Sequence, residues 1–449
     1  MKKFFLILAA FITAVSCKEN PDAPSISSEN NDSDSRYVMT LNEAQELLEQ
    51  ILNDMSAETK SGQPTAKRTV CYAYSTGSPS ETKAGEEAEP YVHIFNFDDN
   101  GGFAIMSADK RVPPLLALTF DGELAPDTEV SNPGLINFLA NAERYYKSKT
   151  SGIGLGDIGG IVVFPGETIR YSHVDKFIYD MNYGHCQVRW GQRAPYNKYC
   201  PYIDGKPTLT GCVTTAVAQL MSVYRYPASY NGHTFNWSLM NSLTDKYLPN
   251  PDLEAESQVA RLMQQLGLSS NLDVDYGTNS SPAPSENIPR TLENFGYSNG
   301  GRFVDYSTTE VVNELSAGYY VLISGFSYRT TTKSTILGIP VNDSYGYSSG
   351  HQWLAHGLMK EKHTVDTYVC VDTNEFRYVS TDVKNYWYIL CNMGWNGDDD
   401  GYYLSEVFDT NDGPEYEWEP GQSAANTKST EGESHNYQFY QKAIIGIRK

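Results

Sequence analysis

A cysteine on the first turn of an amphipathic helix constrains this chain more than any other feature. It lies in Thr210-Gly211-Cys212-Val213-Thr214-Thr215-Ala216-Val217-Ala218-Gln219-Leu220-Met221. Val213, Ala216, Val217, Leu220, Met221 and Tyr224 recur at the 3.6-residue period and predict one buried stripe, with Pro227 as the stop. Gly211 frees the backbone just before the cysteine, and the unpaired N–H groups of a first turn carry roughly half a positive charge. That position favours a thiolate: a free cysteine titrates near ~8.5, and a helix end beside an imidazolium lowers this to roughly 3.5–7.5. Burial is the commoner role of a helical cysteine, so a catalytic reading needs a partner.

The best partner lies in Ser348-Ser349-Gly350-His351-Gln352-Trp353-Leu354-Ala355-His356-Gly357, where His351 opens a strand-like run after a Gly/Ser-rich turn. His356 is its rival, five positions on and therefore on the opposite face of an extended strand. A third segment, Cys391-Asn392-Met393-Gly394-Trp395, offers the Asn392 amide to orient the imidazole and the Trp395 indole to shield that contact from water. A fourth, Trp190-Gly191-Gln192-Arg193-Ala194-Pro195-Tyr196-Asn197, precedes the helix. Its Gln192 side chain can donate to a developing oxyanion beside the backbone N–H of Cys212, and one such donor lowers a barrier by about 2.7–4 kcal/mol.

These four segments, in this order, resemble the streptopain family of bacterial papain-like cysteine proteases. His351 follows Cys212 within the roughly 130–150 residue separation that papain-like proteases use between nucleophile and base. The similarity extends to Asp273-Val274-Asp275-Tyr276-Gly277, Glu293-Asn294-Phe295-Gly296-Tyr297 and the closing Tyr440-Gln441-Lys442-Ala443-Ile444-Ile445-Gly446-Ile447. It implies Cys212 as nucleophile, His351 as general base and acid, Gln192 and the Cys212 N–H as oxyanion donors, and Asn392 and Trp395 as orienting residues. Met393 departs from the family's Asn-Trp-Gly-Trp pattern, Gln352 and Trp353 are larger than the residues expected beside the histidine, and Asn392 lies farther from Cys212 than papain spacing predicts. The resemblance further implies a hydrophobic substrate residue one position before the cleaved one.

Upstream, Thr40 and Glu43 form a capping box, and Leu41, Ala44, Leu48, Ile51, Leu52 and Met55 a helical stripe. Tyr91–Phe97 and Phe103–Ser107 flank a turn and predict a hairpin, and Leu135–Tyr146 a second helix. This helix, hairpin and helix block is similar to the inhibitory propeptide of the same family. Processing is expected between Lys147 and Thr168, with Lys147 and Lys149 as accessible cut sites.

The chain opens with Met1-Lys2-Lys3, an apolar run from Phe4 to Ala14, and Ala14-Val15-Ser16-Cys17, which resembles a bacterial lipobox with Cys17 acylated. The expected organisation is a lipoprotein signal over 1–17, a tether over 18–36, a pro-domain over 37–149, a processing linker over 150–180 and a catalytic domain over 181–449. The expected product is exported, at the outer membrane or cell surface, with its catalytic domain open to release.

The fold class expected is α+β. A papain-like lobe of helix plus antiparallel sheet, with strands at Tyr319–Phe326, Gln352–Met359, Tyr368–Asp372, Tyr386–Asn392 and Gly401–Ser405, follows an α+β inhibitory pro-domain. The expected function is a cysteine endopeptidase made as a zymogen. Two other classes carry the same residues: an acyl transferase using the same pair, and a surface binding protein in which the pair is vestigial. Partners are protein or peptide substrates, the chain's own propeptide as inhibitor, and membrane only through an N-terminal lipid. A formal charge of −21 argues against nucleic acid. No cofactor or metal is expected: Cys-x-x-Cys and His-Glu-x-x-His are absent, and Asp398-Asp399-Asp400 reads as a solvated turn. Cys186 and Cys200 bracket the Gln192 segment either as a disulfide or as separate thiols.

Overall fold

The computed structural model describes residues 38–58, 68–77, 90–126, 129–150, 168–176, 186–244, 248–329, 335–341, 350–372, 375–409 and 437–449. The signal, the lipobox cysteine Cys17 and the tether lie outside the described residues. So does most of the polar stretch from 409 to 433.

The first helix, α1 (Leu41–Glu58), starts where the capping box predicts. The Thr40 N–H donates to the Glu43 carboxylate at 2.8 Å, and the Glu43 N–H returns to Thr40 Oγ1 at 3.3 Å. Its stripe of Ala44, Leu48, Ile51 and Met55 is buried. Strands β1 (Val70–Gly77), β2 (Pro90–Phe97), β3 (Phe103–Ser107) and β4 (Leu115–Thr119) then form an antiparallel meander, and α2 (Pro133–Thr150) closes the block.

The linker contains regular structure that its sequence did not announce. Strand β5 (Thr168–Lys176) pairs antiparallel with the outer half of a later strand, so the expected linker over 150–180 is corrected there. Nine polar and apolar residues alone do not specify a strand; the long neighbouring edge supplies the hydrogen-bond partners. Lys147 and Lys149 are also corrected as cut sites in an open segment. They lie in the last turn of α2, with Lys147 paired to Glu143 at 3.1 Å and Lys149 over the Tyr145 ring at 5.0 Å.

In the second half, helix α3 (Cys212–Tyr224) matches its predicted span. It packs with α4 (Leu253–Leu266) in a core that includes Val217, Leu220, Met221, Val259 and Met263. Strands β6 (Arg302–Asp305), β7 (Val321–Arg329), β8 (His351–Asp372), β9 (Glu375–Asn392), β10 (Gly401–Leu404) and β11 (Tyr437–Ile445) complete the sheet, and a short helix, α5 (Ser405–Phe408), follows β10. The two strands expected at Gln352–Met359 and Tyr368–Asp372 are one. The polar run Lys360–Thr367 looks like a loop in sequence, yet it pairs with β9 on one edge and β5 on the other.

Among the described residues, eleven strands form one antiparallel sheet, in the order β1-β2-β3-β4-β10-β9-β8-β7-β11-β6, with β5 also on β8. The pro-domain and catalytic halves therefore share a sheet, joined where Ala117, Leu118 and Thr119 of β4 face Tyr403, Tyr402 and Gly401 of β10. Helix α2 lies across this junction: Phe138 packs edge-on to Tyr403 at 4.8 Å, Tyr145 donates to Glu406 at 2.8 Å, and Gln441 Nε2 donates to Asn137 Oδ1 at 3.1 Å. No helix among the described residues is long and apolar enough to cross a membrane.

Candidate active site

Gly211 sets the start of α3. Its φ of 88° is open to glycine, and a Cβ there would meet the Ser281 carbonyl oxygen at 2.2 Å, so the chain can pass between the 281 loop and the helix only without a side chain. Cys212 follows, half-buried, with the N–H groups of Gln352, Val213 and Cys212 itself directed at its sulfur. Burial pushes the thiol pKa up, and these donors pull against it. The Sγ meets the carbonyl of Gly350 at 3.8 Å.

Gln192 lies next to this helix end. Its carbonyl accepts from the Thr210 N–H at 3.1 Å, two residues before Cys212, and its side chain is partly exposed. The adjoining Gly191 packs against the Asn396 side chain, while Gln219 of α3 donates to the Trp190 carbonyl at 3.1 Å. Helix, Gln192 segment and 393–397 loop are thereby fastened together.

His351 begins β8. His351 and Trp353 share one face of this strand, and their rings stack at 6.0 Å; Leu354 faces the other way, into the α3 core. The His351 Nε2 lies 2.8 Å from the Met393 carbonyl, which can only accept, so Nε2 carries the hydrogen and Nδ1 is the basic nitrogen. Burial lowers the His351 pKa to about 4, against the favourable Met393 contact. The ring is neutral at pH 7.

The structure departs from sequence expectation at Asn392. Its side chain donates to the Val188 carbonyl at 2.8 Å and accepts from the Gly394 N–H at 3.0 Å, so it braces the loop and does not touch the imidazole. A main-chain carbonyl has no residue signature, which is why the orienting group at Met393 was not legible. Trp395 lies edge-on to His351, the ring centroids 6.2 Å apart.

Cys212 Sγ meets the Gly350 carbonyl and His351 Nε2 the Met393 carbonyl, and the pro-domain approaches the imidazole. A Cβ on Gly134, at the start of α2, would meet His351 Cδ2 at 3.1 Å and Met393 Sδ at 2.6 Å. Asn132 fixes that approach by donating to the Asp398 carbonyl at 3.1 Å and accepting from the Gly134 N–H at 3.0 Å. The Asn132-Pro133-Gly134 turn thus packs onto the imidazole with no side chain between.

The expected solvated turn at Asp398–Asp400 is corrected in part: the turn is there and Asp398 is exposed, but Asp399 and Asp400 are drawn inward. Asp400 is 8% exposed and accepts the Met393 N–H at 2.7 Å, and Asp399 is half-buried near Asn132 and Asp121. Burial raises both carboxyls to about 7, with the neighbouring aspartates adding to it and Arg189 opposing it at Asp400. Arg189 bridges to Asp121 of the pro-domain at 2.8 Å. Because these folded pKa values exceed the unfolded ones, the native precursor holds more protons between about pH 4 and 7, and this stability is lost as pH rises through 7. His351 and His93, whose imidazoles burial lowers, act oppositely below about 6.5, so above that pH the two carboxyls alone set the sign. A Cys212→Ala precursor is therefore expected to melt at lower temperature at pH 8 than at pH 5, and Asp399→Asn with Asp400→Asn to flatten that difference. A melting temperature that rises with pH in both proteins contradicts the assignment.

Cys186 and Cys200 are separate thiols. Cys186 lies by the Val188 carbonyl at 3.7 Å, and Cys200 is buried.

Residues 190–403 match the family described as Peptidase C10, and residues 29–146 match the one described as Spi protease inhibitor. Streptopain of Streptococcus pyogenes is 22% identical over 408 residues, covering 81% of this chain and 82% of its own. The thiol protease/hemagglutinin PrtT of Porphyromonas gingivalis is 23% identical over 255 residues, covering 50% of this chain and 28% of its own. Among solved structures, a fragment of prointerpain A from Prevotella intermedia is 21% identical, with a TM-score of 0.48, covering 75% of this chain and 93% of that one.

Proposed function

We propose, for a chain that belongs to the Peptidase C10 family through residues 190–403 and is a cysteine protease zymogen, that Cys212 and His351 are its catalytic dyad. The observation that carries this reading is the placement of Cys212 on the first turn of α3, two residues after the Thr210 N–H that anchors Gln192, with His351 opening the strand alongside.

In the freed enzyme the His351 ring turns from Gly134 toward Cys212. Its Nδ1 takes the thiol proton while Nε2–H stays oriented by a carbonyl such as that of Met393. The Cys212 thiolate attacks the peptide carbonyl, and the Cys212 N–H and the Gln192 side chain receive the oxyanion. The imidazolium protonates the leaving amine, then the neutral imidazole activates the water that releases the acyl group.

The pro-domain inhibits by packing its Asn132-Pro133-Gly134 turn on His351, and maturation cuts between the end of α2 at Thr150 and the start of β5 at Thr168. Export as a Cys17-acylated surface lipoprotein fits the opening of the sequence. A cut in that interval leaves the lipid on the pro-part and frees the catalytic domain.

Casein hydrolysis by the matured protein tests the reading. Gln192→Ala is expected to lower kcat by about 10²–10³, with a smaller change in KM, because the donor acts on the oxyanion and not on the bound substrate. An unchanged kcat removes Gln192 from the mechanism, and casein left intact by wild type counts against the whole assignment.

A further inference from the structure

The residue after the histidine carries a polar group that the dyad does not use. Gln352 is 1% exposed, on the strand face opposite His351, and its backbone N–H points at the Cys212 sulfur. Its amide oxygen accepts from Ser285 Oγ at 2.9 Å, which fixes the amide and turns the NH2 group away from Ser285. That nitrogen is buried with no hydrogen-bond partner. A buried donor left unpaired costs about 1–3 kcal/mol, so an acceptor that reaches it is favoured by a comparable amount. The neighbours of Gln352 connect it to the start of α3 as well as to β7. Ser281 lies against Gly211, the residue before Cys212, Ser285 holds Gln352, and Ala283 and Cys212 both pack on the same core cluster, so the 281–285 loop ties Gln352 to the start of α3.

We propose that Gln352 determines substrate specificity, donating its side-chain N–H to an uncharged oxygen acceptor, the amide of Asn or Gln, on the substrate residue that lies against this loop. A carboxylate acceptor is disfavoured because its charge would sit beside the Cys212 thiolate. This differs from the hydrophobic preference that family resemblance implies, and the residue responsible is one at which this chain departs from the family pattern. An apolar side chain there leaves the buried donor unpaired, whereas Asn or Gln satisfies it; sites of this kind reject the partner lacking the acceptor more strongly than they reject a missing methylene.

The inference rests on Cys212-dependent proteolysis, so the test separates the two. Matured wild type, Gln352→Leu and Ser285→Ala are each given peptides varied at every position flanking the cleaved bond, with Cys212→Ala as the blank. At one position wild type is expected to prefer Asn or Gln over the near-isosteric Leu by about tenfold in kcat/KM, the equivalent of about 1.4 kcal/mol. Gln352→Leu reverses that preference at the same position. Ser285→Ala, which frees the amide to turn over, shrinks it without reversal and keeps the test decisive if the leucine variant does not fold. Cys212-dependent cleavage with the same residue profile in all three proteins, or a Leu preference at every position in wild type, overturns the assignment of Gln352 alone. Cleavage that persists in Cys212→Ala overturns the dyad as well.

Discussion

Cys212→Ala is expected to lower peptide hydrolysis by on the order of 10⁶ and to leave the precursor intact where wild type matures. The size follows from the chemistry: the other parts of the site position and polarise the substrate, but none supplies the electron pair that forms the acyl bond. Because the helix start depends on Gly211 and on packing beneath Cys212, one lost sulfur should leave the fold in place. The comparison is made on denatured casein and on the precursor, by gel and by melting temperature. Matured protein prepared with an external protease separates a failure of catalysis from a failure of self-processing. An alanine variant that retains more than about a hundredth of wild-type activity at an unchanged melting temperature would sink the assignment, since a bystander cysteine gives only small effects.

Removal of the pro-domain is expected to raise the rate at which iodoacetamide alkylates Cys212 at pH 6–7 by about two orders of magnitude. In the precursor, burial keeps the thiol protonated, and His351, with a pKa lowered to about 4, is neutral and engaged elsewhere. Few sulfurs are thiolates there at neutral pH, and the alkylation rate climbs only as pH passes the raised thiol pKa. Once Gly134 leaves the imidazole, His351 regains solvent and can hold a proton beside the sulfur, which moves the titration to lower pH. The measurement is a pH–rate profile of labelling for precursor and matured protein, with matured His351→Ala as control. Profiles that share one midpoint and differ only in height would show that the pro-domain only blocks access and does not alter the pair. A raised rate that survives His351→Ala would assign the activation to the helix end alone.

Local elements were legible wherever a periodic pattern and a terminal signal coincided. Helix α1 follows from Thr40, Glu43 and the buried run Ala44, Leu48, Ile51 and Met55; helix α3 follows from its stripe and the proline beyond it. The hairpin of β2 and β3 follows from two β-rich runs around an Asp/Asn/Gly turn. Strand β5 and the middle of β8 were not legible, because polar residues there take their hydrogen bonds from neighbours distant in sequence. Asp400 was misread for the same kind of reason: three aspartates in a row look solvated until a folded loop places one of them on the Met393 N–H.

The candidate site divides similarly. Cys212, His351, Gln192 and Trp395 announce themselves by residue type and order, and the chain brings all four to the region around the start of α3. The Met393 carbonyl and the Gly134 approach do not, because one is main chain and the other is a space left where a side chain is missing.

What the sequence by itself determined is the chemistry available: a helix-end cysteine, a histidine with a rival on the opposite strand face, a glutamine with an amide able to donate, and a pro-domain built of helix and hairpin. Only the tertiary structure decided the state of that chemistry. It seats the pro-domain on a shared sheet, sets Gly134 against His351, and buries the imidazole and thiol so that both favour their neutral forms. The physical reason is that residue type sets which proton a group can carry, whereas burial and contacts between segments far apart in the chain set whether it carries it.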